Sequence, residues 1–281
     1  MSISVLTNVA SMNAQRNLSG TQASLAASIG RLSSGMRINS AADDAAGLGI
    51  SENLKANIRS LSQAQRNAND AVSMSQVAEG AMDDMQGLVS RMRELAVQAA
   101  NSTLGATERG YIHTEFDQLQ KEITRISTAT NFNGTKLLDG TASTGLSFQV
   151  GINNVANVDQ IKMSITKLDA TTLGSTSLHV GSASLSTAAK AQTALTVFDK
   201  AIQQLSTARA KVGASQNRMQ VTINNLASQQ EALSAANSRI RDVDVASETA
   251  AMTRAQILSQ AGVAVLAQAN QIPSAALSLL R

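Results

Sequence analysis

Residues Leu61 to Ala99 read LSQAQRNANDAVSMSQVAEGAMDDMQGLVSRMRELAVQA, and their spacing decides the fold. Stepping alternately by three and four from Leu61 meets Ala64, Ala68, Ala71, Ser75, Ala78, Met82, Met85, Val89, Met92, Ala96 and Ala99. Only Ser75 is not apolar, so one face of a 3.6-residue helix is hydrophobic over its whole length. At 1.5 Å per residue such a helix is about 60 Å long. A single helix with one greasy stripe needs a partner, so a bundle or coiled coil follows.

The partner stripe lies near the other end of the chain. Phe198, Leu205, Val212, Met219, Leu226, Leu233 and Ile240 repeat every seven residues without a polar interruption. The companion positions are mixed: Ile202, Arg209, Gln216, Ile223, Gln230 and Asn237. This second seam is therefore narrow and partly polar. A shorter helix fits Glu108 to Thr128, with Ile112, Phe116, Leu119, Ile123 and Ile126 on one face and Thr107 as its N-cap.

Between the two stripes the pattern changes. Asn133-Gly134 and Asp139-Gly140 signal turns. Leu146, Phe148 and Val150, then Ile161, Met163 and Ile165, alternate with polar residues across an Asn-rich loop, which reads as a small β-hairpin region. From Leu168 to Thr187 the chain is rich in Ser, Thr and Gly and lacks a period, as expected of a surface tip. At the extremities Leu18, Leu25 and Leu32 step by seven, as do Ile29 and Met36, and so do Leu258, Val265, Ile272 and Leu279. Nothing local covers these terminal stripes, and helices so rich in Ala, Ser and Gln are marginal in water on their own. The expectation is a hairpin-shaped, mainly α rod: a long antiparallel helical bundle made by the N- and C-terminal halves, with a β-hairpin region between them. Its ends should pair with each other and with other copies, and order on assembly.

Composition narrows the function. The 281 residues include no Cys, no Trp and one Pro. The five aromatics (Tyr111, Phe116, Phe132, Phe148, Phe198) all lie mid-chain, so the helical ends must pack through Ala, Leu, Val, Ile and Met. Without cysteine there are no disulfides, thiolate metal sites or Cys nucleophiles. A net charge of +3 with scattered basic residues gives no phosphate-neutralising patch for nucleic acid. The first residues lack the charged start and apolar run of a Sec-type signal. Ala255 to Leu280 carries no charge, but its amides, including Gln256, Gln260, Gln268, Asn270 and Gln271, would each cost a few kcal/mol unpartnered in lipid.

No catalytic constellation emerges. His113 and His179 are the only histidines, and His113-Thr114-Glu115 lacks the second His of a zincin motif. The pairs Asp43-Asp44 and Asp83-Asp84 point about 100° apart on a helix, which suits a solvated face or a salt bridge better than acid–base chemistry. No phosphate loop, dinucleotide fingerprint or nucleophile elbow is present. Gly47 and Gly49 read as a break between two helical segments. Arg16, Arg31 and Arg37 leave the first 42 residues purely basic, consistent with a solvated face, with export, or with an acidic partner helix. No enzyme activity, cofactor or metal is expected.

Several stretches resemble the bacterial flagellin family. Ile29 to Leu48 (IGRLSSGMRINSAADDAAGL) is similar to its most recognisable segment, and Gln76–Met82 and Arg91–Asn101 continue the likeness. Phe132-Asn133-Gly134 with Leu137 to Gly140, then Arg239–Asp244, Gln268–Pro273 and Leu277 to Arg281, extend it to the C-terminus. Only about residues 168–190 fall outside. The resemblance implies a secreted filament subunit used in swimming motility, a short form without large variable outer domains; a hook–filament junction protein of the same superfamily is the alternative. It implies a terminal coiled coil of 1–42 plus 246–281 as filament inner core, connecting segments 43–57 and 238–245, and an outer-core bundle of 58–130 plus 188–237. The β-hairpin region is 131–167 and the tip 168–187.

On the same basis Leu18, Leu25, Ile29, Leu32, Met36, Leu258, Val265, Ile272 and Leu279 are the polymerisation residues. Leu61, Met82, Met85, Val89, Met92, Phe198, Leu205, Val212, Met219, Leu226, Leu233 and Ile240 pack the outer core. Implied partners are further copies of the chain, an export chaperone bound to the C-terminal helices of a subunit leaving by the type III route, the filament cap and the hook-junction proteins. Arg91, Leu95 and Glu115 match the family's surface for a vertebrate Toll-like receptor. Neither nucleic acid nor membrane insertion is expected. Hydroxyls between 141 and 187 are candidate O-glycan acceptors.

Overall fold

The structure is a computed structural model that describes residues 7–174 and 178–278, with the backbone alone for 272–278. Leu279 and the side chain of Ile272 therefore lie outside the described residues. Helices dominate: α1 (Val9–Ser34), α2 (Ala45–Ala99), α3 (Ala106–Ala129), α4 (Ala188–Arg241) and α5 (Val245–Ser278). Two small antiparallel pairs sit between α3 and α4: β1 (Asn131–Phe132) with β2 (Thr135–Lys136), and β3 (Leu146–Gln149) with β4 (Gln160–Met163). The chain divides into two compact units, one of residues 1–58 and 231–281 and the other of residues 59–230.

The unit of residues 59–230 is built on the stripe quoted above. Every residue of that stripe from Leu61 to Ala99 is buried. Ser75, its one polar member, donates to the Ala71 carbonyl at 2.7 Å and lies 3.2 Å from the Met163 sulfur, so its hydroxyl is satisfied inside the helix groove. Facing it on α4 are Phe198, Leu205, Val212, Met219 and Leu226, all buried. Phe116 of α3 meets Phe198 with ring centroids 5.8 Å apart and planes tilted by 56°, a favoured aromatic geometry. The mixed companion positions are matched in kind. Arg209 reaches Asp83 at 2.8 Å and Gln86 at 3.0 Å, and Gln216 donates to Glu79 at 3.1 Å. These polar cross-links admit one register of α4 against α2, since a slip would strand a cation against an apolar side chain.

The hairpin follows its alternation. Leu146 pairs with Met163 and Phe148 with Ile161, which puts the apolar residues of both strands on one side. Asn133 (φ 48°) and Gly134 (φ 82°) form the two-residue turn between β1 and β2, where positive φ at both positions matches strand twist.

Three sequence expectations change. Gly47 and Gly49 do not break a helix; they lie inside α2, which starts at Ala45. The break is upstream, where Asp44 accepts the Gly47 N–H at 2.8 Å, and a Cβ on Gly47 would fall 2.5 Å from that carboxylate and 2.8 Å from Ile38. Thr107 is not the N-cap of α3: the helix begins at Ala106, with extended Gly105 in the cap position and no side-chain cap bond. The segment 168–187 is no plain surface tip. Leu168, Ala170, Leu173, Val180, Ala183 and Leu185 are buried in the same core as Phe198. Their spacing follows neither a strand nor a helix, so no periodic signal could reveal it; Gln120 donating to the Val180 carbonyl (3.0 Å) and Gln204 bonding both N–H and C=O of Gly174 hold the backbone in place.

Candidate assembly surface

The unit of residues 1–58 and 231–281 pairs α1 with α5. They run antiparallel: Ser11 meets Asn270 at 2.7 Å near one end, and Arg31 meets Glu248 at 2.8 Å near the other. Asn8 caps α1 by accepting from Ser11 N–H (3.1 Å) and donates across to the Ala269 carbonyl (2.8 Å). The seam sets small residues against leucines. Ser28, Ala255 and Ala269 are buried, and a Cβ on Gly262 would lie only 3.2 Å from the Leu18 methyl, so these helices approach closely. Leu18, Leu25, Leu32 and Met36 are half-buried along this contact.

Beyond the α1–α5 seam, the junction is pinned by polar contacts. Arg37 N–H donates to the Arg241 carbonyl (2.6 Å), its guanidinium to the Ile240 carbonyl (2.7 Å), and Val243 N–H to Gly35 (3.1 Å). Ser51 donates to Asn237 (2.7 Å), and Arg241 pairs with Glu52. Asp43 takes the N–H groups of Ser40 and Asn39. These contacts hold several carboxylates below their usual range: Glu248 through Arg31 and Ser28, Glu52 through Arg241, and Asp43 through Ser40 and Asn39. Arg31 thus finds its acid on α5, one of the three readings that the basic N-terminus allowed.

What the seam leaves bare matters most. Leu258 is 53% exposed and Val265 57%, and they border a narrow groove beside Leu18 rather than filling the seam. The seven-residue step on α5 therefore marks its flank, while Met252, Ala255, Ser259, Gly262, Leu266 and Ala269 face α1. A second row, Val245, Ala246, Ala250 and Ile257, opens a larger apolar depression on the same helix. Val9, Met12 and Ile29 on α1 are exposed as well. Two uncovered apolar rows on a paired helix form a surface that water disfavours and a further helix would cover.

The remaining sequence-derived residues fall in two places. Leu61, Met82, Met85, Val89, Met92, Phe198, Leu205, Val212, Met219 and Leu226 are buried in the unit of residues 59–230; Leu233 and Ile240 belong to the other unit and are half-buried. Arg91 forms a 2.9 Å ion pair with Glu115, both about half exposed. Leu95 is buried, one helical turn from Arg91 on the core side, so its side chain is not offered to a partner as a surface residue would be. His113 stacks on Phe116 with centroids 5.9 Å apart. Among the described residues no group of three acidic or histidine side chains converges to hold a metal, and no helix is long and apolar enough to cross a membrane. On α1 the heptad leucines Leu18, Leu25 and Leu32 do lie on the seam, but the facing side of α5, with Ala255, Gly262 and Ala269, was passed over by heptad counting, since Ala and Gly give little hydrophobic signal.

Comparison with known proteins gives this surface its context. Residues 5–143 match the bacterial flagellin N-terminal helical region, and residues 195–280 the bacterial flagellin C-terminal helical region. The chain is 44% identical over 274 residues to the flagellin of Halalkalibacterium halodurans and 42% identical over 302 residues to that of Bacillus subtilis, covering 98% of each chain and of each relative. A putative flagellar hook-associated protein from Vibrio parahaemolyticus shares the fold at 16% identity, with a TM-score of 0.59 over 71% of this chain and 100% of that one. Two family regions and near-complete coverage of curated relatives agree with the long paired helices, and the chain belongs to the flagellin family, as a non-enzymatic structural subunit of the extracellular flagellar filament.

Proposed function

We propose that this subunit polymerises through the flank of α5 that α1 leaves bare, where Leu258 and Val265 meet other copies, and that Ile272 and Leu279, which continue the same seven-residue step in the sequence, do likewise. Residues 1–42 and 246–281 then form the inner core of the filament, and residues 58–130 and 188–237 the outer core. The observation carrying this reading is the exposure of Leu258 and Val265 beside a seam that Ala255, Gly262, Ala269 and half-buried leucines already fill. Burying two such side chains in each of many identical contacts supplies about 1.5–3 kcal/mol per residue, repeated along the polymer. Substituting Leu258→Asp is the direct test: the monomer keeps its helicity and melting temperature, and sedimentable filaments no longer form. Wild-type filament yield from that variant would overturn the proposal.

The same bare helix supports the finer partner assignments. An export chaperone would cover the apolar rows of α5 before assembly, and the cap and hook-junction proteins would meet them at the filament ends. Competition decides this: chaperone-bound subunits should neither polymerise nor expose Leu258 to a thiol probe placed there as Leu258→Cys. For a vertebrate Toll-like receptor, the exposed Arg91–Glu115 pair is the contact and Leu95 sets the helix beneath it. Arg91→Ala with unchanged melting should weaken receptor binding; unchanged binding would remove that partner.

A further inference from the structure

The chain holds no Cys, so all of its oxidisable sulfur is in methionine. Of the ten methionines, Met1 lies outside the described residues. Met74, Met82, Met85, Met92, Met163 and Met219 are buried inside the unit of residues 59–230, none more than 4% exposed. Met36 and Met252 are half-buried. Met12, on α1, is 56% exposed. Among the described residues, packing therefore shields the other thioethers wholly or in part and leaves this one open to solvent.

Met12 sits in the first turn of α1, where its N–H donates to the Asn8 carbonyl at 3.1 Å. Asn8 donates in turn to the Ala269 carbonyl of α5 at 2.8 Å, and Ser11 to Asn270 at 2.7 Å. These two bonds hold the backbone around Met12 against α5 without using its side chain. Val9, three residues earlier and 60% exposed, shares its helix face. Together they make a bare apolar patch at the start of α1, on the pair of helices that carries the assembly surface. Oxygen added to the Met12 sulfur would leave the fold of the subunit intact and change what a second copy meets.

We propose that Met12 is an oxidation site that switches the subunit's competence to assemble, an inference that rests on the reading of the terminal helices as the filament's inner core. The oxidant is hydrogen peroxide. The Met12 sulfur attacks one peroxide oxygen, so that an S–O bond forms as the O–O bond breaks, and the proton left on the transferred oxygen passes to the departing hydroxide to give water. The sulfur loses two electrons and the peroxide is reduced. A soft thioether suited to packing against an apolar face becomes a strongly polar sulfoxide, which is costly to bury without a hydrogen-bond donor. Subunits that meet peroxide after folding and before other copies cover them are thereby kept out of the polymer, and reduction of the sulfoxide returns them to it.

The test treats the full-length monomer with dilute hydrogen peroxide, locates each sulfoxide by peptide mass spectrometry and follows growth from wild-type filament seeds by sedimentation. Met12 should gain oxygen before Met36 and Met252, and the six buried methionines last. The melting temperature should hold, while the subunit concentration needed for growth rises about tenfold. Methionine sulfoxide reductases, one for each epimer, should restore growth. Met12→Leu should grow as the untreated wild type does and be insensitive to peroxide, although it keeps Met1, Met36 and Met252. Loss of growth in peroxide-treated Met12→Leu, or normal growth of subunits fully oxidised at Met12, would overturn the proposal. Oxidation of Met36 or Met252 ahead of Met12 would do the same. Leu258→Asp keeps the two readings apart: if it fails to grow while subunits oxidised at Met12 grow normally, only the switch is lost, whereas its normal growth removes the assembly surface itself.

Discussion

The two units of this chain use the same element, a long amphipathic helix, to opposite ends. In residues 59–230 the stripes of α2 and α4 are buried together with apolar residues of α3, the hairpin and the segments 168–174 and 178–185, around Phe116 and Phe198. In residues 1–58 and 231–281, α1 and α5 meet along Ala, Gly and Ser interleaved with half-buried Leu18, Leu25, Leu32 and Leu266, and keep Leu258, Val265 and Ile257 outside. The lesson is about where hydrophobic side chains are spent. A unit whose large side chains all turn inward closes its own core, whereas one that leaves part of them outward is completed by its neighbours.

That contrast can be broken at graded strength. Phe198→Ala should cost the larger unit about 3–5 kcal/mol by opening a cavity against Phe116, read as a fall in denaturant midpoint. Leu226→Asp and Leu233→Asp should separate the units: Leu226 is 5% exposed and its replacement strands a charge, at several kcal/mol, while half-buried Leu233 tolerates the change far better. Equal losses would mean that the two units unfold as one. Gly174→Ala should cost at least about 1–3 kcal/mol, because φ +123° strains any side chain and the added Cβ would fall 2.7 Å from Val197 and 2.9 Å from the Leu178 carbonyl, visible as a lower melting temperature.

Acid gives the next step. Glu248, Glu52 and Asp43 bind their protons less readily folded than unfolded, so the stability they add is complete above the ordinary carboxylate range and is lost as pH falls through their lowered values. In the larger unit burial pulls Asp169 upward, but Lys167, Thr171 and Thr172 outweigh it and bring it down to about 2. Helicity near α1 and α5, followed by site-specific labels, should therefore decline as the pH falls below the ordinary carboxylate range, while the larger unit loses its Asp169 contribution as the pH approaches about 2. Simultaneous loss would argue against separate pinning. Smallest of all, Leu258→Asp should shift monomer stability by less than about 0.5 kcal/mol, because that side chain is already wet.

Much of this was legible from spacing. The buried stripe from Leu61 to Ala99, the matching heptads on α4, the paired strands around Phe148 and Ile161, and the apolar rows at both termini all repeat at 3.5, 3.6 or 2 residues. Repetition is what local geometry writes into a sequence, because each turn of helix or pleat of strand presents the same face again. The polar companions Arg209 and Gln216 were visible as exceptions, though their carboxylate and amide partners on α2 were not.

What only the tertiary structure decided is where repetition stops or where the signal is weak. The burial of Leu168, Leu173, Val180 and Leu185 depends on backbone bonds from Gln120 and Gln204, residues that come from other elements. The choice of Ala255, Gly262 and Ala269, rather than Leu258 and Val265, as the face of α5 toward α1 depends on how closely two helices can approach, which hydrophobicity does not encode. Composition and period determined that this chain forms long helices with stripes to cover; packing determined which stripes it covers itself and which it leaves for other molecules.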